Sequence, residues 1–293
     1  MPANSSPFLT LNGGAVSGII AASQTVTLKY PTGGTYSSLK FYCVKTGSVA
    51  CTRAELEASI AKITVSCSGK YILFTGTMRE FISKIEFYRG GLIGDTGVVT
   101  VPFAQQFMRE APWILNPEVG TRDQSSVEVE LVFSGSSVIT NVTAYSVVDK
   151  KIEDLGAHIE TYRTTLSINN AGLFLFPDIP KIPGRAISAL FLVYANATEA
   201  AKLDNISLQY ESERIVNQFT QPLLNSIYRD CDPQRTPQTG VVALDLQARG
   251  LLGDILPQTS GVCYLELNHT SAPTGGVSLL IDQYVDDTVQ PAR

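Results

Sequence analysis

Histidine is almost missing from this chain: His158 and His269 are the only two in 293 residues. So small a supply leaves little room for imidazole acid–base catalysis or a multi-histidine metal site, and both rings are expected to be structural or superficial. Tryptophan is reduced to Trp113, whereas carbohydrate clefts commonly use several aromatic platforms. The five cysteines, Cys43, Cys51, Cys67, Cys231 and Cys263, are odd in number, irregular in spacing and form no CxxC pair. They argue against a disulfide framework and a zinc site, and predict free, mostly buried thiols in a chain folded in a reducing cytoplasm.

Clustered positive charge is also lacking. The 22 Lys and Arg residues are scattered singly against 27 Asp and Glu, for a net charge of −5, so the chain carries no phosphate-backbone footprint and no direct nucleic-acid contact is expected. Long apolar runs are absent, none approaching the roughly 18 to 20 residues of a membrane span. The first basic residue is Lys29, and the early apolar stretch at residues 15–22 is broken by Ser17 and Gly18. No secretory signal is therefore expected, and the sequons at Asn4, Asn141, Asn196, Asn205 and Asn268 reflect Ser, Thr and Asn content rather than glycosylation. A G-x-S-x-G elbow, an H-E-x-x-H helix and a G-x-x-x-x-G-K-[ST] loop are all wanting. No catalytic or cofactor-binding residue is assigned, and enzymatic activity is not expected.

What the sequence does have is alternation and turns, with 44% apolar residues, 23 Gly and 15 Pro. Residues 24–30 place Val26, Leu28 and Tyr30 opposite Thr25, Thr27 and Lys29, and residues 126–133 place Val127, Val129, Leu131 and Phe133 opposite Glu128 and Glu130. This is the period of half-buried antiparallel strands. It also puts Glu128 and Glu130 together on the solvent side, not across a glycosidase cleft. Further strands are predicted over residues 39–45, 60–66, 71–75, 98–103 and 138–147, and then 158–168, 173–176, 186–194, 206–210, 241–246, 262–267 and 277–285. Met78, Phe81, Ile82 and Ile85 recur at helical spacing, and Ile215, Val216 and Phe219 suggest a second helix ending near Pro222.

The chain also repeats itself. IEFYRGGLIGDTGVVTVPF at residues 85–103 and NSIYRDCDPQRTPQTGVVALDL at residues 225–246 share a Tyr-Arg, a polar loop and a Gly-Val-Val. Tyr88 to Tyr228 spans 140 positions and Gly97 to Gly240 spans 143, each near half the chain. Both Tyr-Arg pairs are expected on strands that follow a short helix. The glycine cluster at residues 90–97 reads as a loop between two β elements, not a phosphate cradle. About eight strands and one helix, twice in the same order, predict an all-β protein of two tandem eight-stranded jelly rolls, each with a short helix. The expected division is an N-terminal arm over 1–22, a first roll over 23–150 and a second over 151–293. Asp149, Glu153 and Asp154 with Asp282, Asp286 and Asp287 are the acidic residues considered for a cation site, against solvated charge as the default.

The opening residues Phe8-Leu9-Thr10-Leu11-Asn12, then Lys29-Tyr30-Pro31-Thr32-Gly33-Gly34-Thr35-Tyr36 and Leu39-Lys40-Phe41-Tyr42, resemble the start of corticovirus-type major capsid proteins. The resemblance implies a double jelly-roll capsid protein of a tailless, icosahedral, membrane-containing bacteriophage. It would assemble as pseudo-hexagonal homotrimers packed against neighbouring capsomers, penton proteins, membrane-associated virion proteins and an internal lipid membrane. The expected location is the virion, after synthesis in the host cytoplasm. Some members bind calcium as a structural ion; none of their ligand positions can be matched here. The competing readings are a carbohydrate-binding or adhesive β-sandwich, and a minor capsid or spike protein.

Overall fold

Side chains that alternate in polarity can bury one face of a strand while the other stays wet, and two such sheets stacked face to face enclose a core. The structure, a computed structural model, describes residues 10–89, 94–103, 119–149, 152–177, 179, 180, 182, 184–210, 213–231, 234–248, 255–257 and 263–285. It divides into two compact units, one running to Glu160 and the other from Thr161 onward, joined in the second unit by the last turn of a helix from Glu86. Each unit is a jelly roll.

The first roll contains β1 (Thr10–Gly18), β2 (Thr25–Tyr30), β3 (Thr35–Lys45), β4 (Val49–Ala50), α1 (Arg53–Ser59), β5 (Ile60–Cys67), β6 (Tyr71–Gly76), α2 (Met78–Arg89), β7 (Val98–Pro102), β8 (Val119–Gly120), β9 (Val127–Phe133) and β10 (Ile139–Asp149). Its strand order is β4-β3-β10-β1-β2-β9-β5-β6, with β7 and β8 also paired to β3. In β9 the buried residues are Val127, Val129, Leu131 and Phe133, as alternation predicts, and Glu128 and Glu130 stay half-buried outside them. Facing them across the core are Leu39, Phe41 and Cys43 of β3 among other fully buried side chains. Burying a side chain of this size contributes about 1.5–3 kcal/mol.

The second roll contains β11 (His158–Leu166), β12 (Gly172–Phe176), β13 (Arg185–Val193), α3 (Ala197–Ala200), β14 (Leu203–Tyr210), β15 (Glu213–Phe219), α4 (Gln221–Arg229), β16 (Val241–Asp245), β17 (Leu256–Pro257), β18 (Cys263–His269) and β19 (Val277–Val285). Its two sheets are ordered β11-β19-β13-β16, with β17 on β13, and β12-β18-β14-β15. β13, β16 and β19 are buried on both faces, which is why their sequences are apolar runs and do not alternate.

Register shows that the repeat is real. β3 pairs Phe41 with Val99 of β7, and β13 pairs Leu192 with Val242 of β16. Two residues on, the Cys43 amide donates to the Gly97 carbonyl at 2.9 Å, and the Tyr194 amide donates to the Gly240 carbonyl, also at 2.9 Å. Both glycines have positive φ, 67° and 82°. At Gly97 a β-carbon would lie 2.4 Å from the Cys43 carbonyl oxygen, so the turn into β7 needs glycine for space as well as conformation. The short strands β8 and β17 likewise pair with the starts of β3 and β13.

Several sequence expectations need correction. Residues 10–18, expected within a loose arm, form β1: residues 10–14 pair with β10 and residues 15–18 with β2. Small residues such as Gly13, Gly14 and Ala15 hid the strand because they carry no polarity pattern. Ile215, Val216 and Phe219 lie on a strand, β15, and the helix comes after it. Their spacing fits either period, and Pro222 opens the helix instead of ending it, since the first turn does not use its missing N–H. Tyr88-Arg89 and Tyr228-Arg229 are the last two residues of α2 and α4, not strand residues. The glycine cluster consequently follows a helix, and its residues 90–93 lie outside the described residues, as do Phe8, Leu9 and Trp113.

Candidate functional site

Neither histidine has a catalytic setting. His158 is buried, its Nδ1 2.8 Å from the Gly156 carbonyl and its ring edge-on to Tyr71. His269 is buried with Nε2 3.0 Å from the Tyr194 hydroxyl, and burial holds its pKa below the ordinary value. All five cysteines are free, and burial pushes Cys43 and Cys51 up and Cys67 up to about 12, away from the thiolate that nucleophilic chemistry requires.

The acidic positions also have structural partners. Asp154 forms a two-bond ion pair with the Arg122 guanidinium, and Asp282 is fully buried and accepts from the Thr161 hydroxyl at 2.9 Å and the Tyr88 hydroxyl at 3.3 Å. Asp286 and Asp287 lie outside the described residues. Among the described residues no three His, Cys, Asp or Glu side chains come together as metal ligands. An open depression of about 450 Å³ at one end of the first roll is lined by Ile20, Lys45, Val138 and Thr140 among others, and its lysine is already bonded to Glu55.

The polar chemistry that the sequence did not reveal lies in the second unit, around α4. Tyr228 is buried; its hydroxyl donates to the Ala243 carbonyl at 2.8 Å and accepts from the Asp245 amide at 3.0 Å, fixing the helix to β16. Beside it, Arg235 and Asp245 form a fully buried ion pair. Arg235 also donates to the Gln247 carbonyl at 3.0 Å, while Asp245 accepts from the Gln247 amide at 2.9 Å. Phe87 and Tyr88, from the last turn of α2, complete this cluster. The Phe87 ring meets Phe191 and Tyr228 edge-on at 5.3 and 5.1 Å, and the Arg235 guanidinium lies 5.9 Å from the Tyr88 ring centre. A lone arginine in a Pro-rich loop, DPQRTPQT, gave no pattern by which the pair could be found. The cluster ties the end of α2, α4 and β16 together.

The two rolls that hold these residues share most of their strand order. The Viral coat protein P2 N-terminal domain family matches residues 15–149, and the Viral coat protein P2 C-terminal domain family matches residues 159–286. The chain belongs to the viral coat protein P2 family. Among solved structures, it superposes on the major capsid protein P2 of bacteriophage PM2 with a TM-score of 0.78 at 15% identity, covering 94% of this chain and 98% of that one. The major capsid protein of Sulfolobus Turreted Icosahedral Virus gives 0.65 at 10% identity over 97% and 99% of the two chains. A quasi-atomic capsid of PBCV-1 gives 0.59 at 10% identity over 97% and 95%. No curated protein matches by sequence. The coat-protein family accounts for the duplication and for a polar interior devoted to packing. Among the described residues no helix is long and apolar enough to cross a membrane.

Proposed function

We propose that this coat protein is the major capsid subunit of its virion, that it works by self-assembly and not by catalysis, and that its unit of assembly is a homotrimer. The observation that carries the reading is the duplication itself. Two rolls of closely similar strand order in one chain become six similar rolls around a three-fold axis, so a trimer can occupy a six-fold lattice position. The likeness in fold to capsid subunits of PM2 and Sulfolobus Turreted Icosahedral Virus, over nearly the whole of each chain, supports it. An internal membrane beneath the shell belongs to the same reading, and rests on the corticovirus-like opening residues. Light scattering of the purified protein should give about three times the 31.6 kDa chain mass; a stable monomer at micromolar concentration would overturn the trimer.

A further inference from the structure

The two rolls treat one sheet edge in opposite ways. In the first, β2 lies between β9 and the second half of β1, with residues 15–18 paired to residues 26–29. Its counterpart in the second roll is β12, which among the described residues pairs with β18 alone. β11 stands beside β19 as the first half of β1 stands beside β10, but no described strand stands where the second half of β1 lies.

The side chains change with the pairing. Thr25 and Thr27 of β2 sit opposite Val132 and Glu130 of β9, and the same places in the second roll, opposite Asn268 and Glu266 of β18, are held by Leu173 and Leu175. Leu173 is 70% exposed and Leu175 49%. Open strand edges are usually blunted by charge, proline or a bulge, because their free backbone groups recruit further strands. The strand GLFLF has neither charge nor proline, and its register with β18 runs without a shift from Gly172 to Phe176. An uncharged, unbulged edge with outward leucines is built to be covered.

We propose that β12 is an assembly edge, completed in the shell by a strand from a second copy of this chain, added as β1 is added to β2. A second copy is the occupant because a coat subunit is surrounded by copies of itself, and because this chain already covers the equivalent edge once with its own strand. The proposal rests on the coat-protein reading.

Hydrogen exchange of the β12 amides, measured on the purified protein at successive dilutions and on assembled shells, tests it. Exchange should be fast in the dilute protein and slow on the order of 100-fold or more in the shell. The double variant Leu173→Lys with Leu175→Lys should keep the circular dichroism and melting temperature of the dilute wild type, since both side chains point outward, and should lose shell assembly. Wild-type assembly by that variant overturns the proposal and leaves the coat-protein reading standing. So do β12 amides that are unprotected in shells, or equally protected at every dilution, the latter meaning that the chain covers its own edge. Should the variant fail to fold, the exchange comparison on the wild type still decides. A wild type that never forms shells removes the coat-protein reading, and this proposal with it.

Discussion

Tyr88 and Tyr228 hold the same place in their helices and lead different lives. Tyr228 is fully enclosed and its hydroxyl serves two backbone groups of the β16 region; Tyr88 is half-buried and its hydroxyl reaches one carboxylate, Asp282. Removing the Tyr228 hydroxyl strands a buried carbonyl and a buried amide, and removing the Tyr88 hydroxyl takes a donor from the buried Asp282 carboxylate, so Tyr228→Phe and Tyr88→Phe should each cost about 1–3 kcal/mol. Urea denaturation of the two variants measures both losses, and a loss well under about 1 kcal/mol for either would contradict this account. In the sequence the two tyrosines are interchangeable, because chain position is legible there and the partners of a hydroxyl are not. A second residue-scale expectation concerns His269, whose pKa burial lowers. An unfolded histidine titrates near about 6.5. Below that pH the unfolded chain binds a proton that the folded ring refuses, so this contribution is whole above the unfolded pKa and is lost as pH falls toward the folded one. Urea midpoints measured from pH 8 to pH 5 should fall more steeply for the wild type than for His269→Gln.

At the scale of elements, legibility followed polarity. β2, β9 and β18 alternate and were plain in the sequence, and α2 was plain from Met78, Phe81, Ile82 and Ile85. α1 escaped notice although it has a marker: Thr52 and Glu55 form a capping box, the Glu55 amide donating to the Thr52 hydroxyl at 3.2 Å and the Thr52 amide to the Glu55 carboxylate at 2.8 Å. Thr77 and Glu80 do the same for α2. β15 failed for another reason, since three apolar residues at short spacing satisfy both periods and only tertiary packing chooses. β1 matters most, because it turns a dispensable arm into part of the sandwich. Deleting residues 1–18 removes the strand that pairs with both β10 and β2 and should unfold that roll at ordinary temperatures, as hydrogen exchange in β2 and β10 would report.

For the whole molecule, the sequence repeat led to the architecture, and the register of β7 on β3 matches that of β16 on β13. The repeat did not disclose that one ring crosses the count. Phe87, fully buried, belongs by sequence to the first repeat and by packing to the second unit, where it fills the space between Phe191 and Tyr228. A second half produced alone, from residue 151, therefore lacks a piece of its own core. A missing phenylalanine of this kind costs about 3–5 kcal/mol, a large share of what holds a domain of that size together. Phe87→Ala in the full chain should lose a similar amount, measurable by urea denaturation. The two halves of the chain are therefore not interchangeable modules: a cut between the repeats takes a ring out of the second core along with the linker.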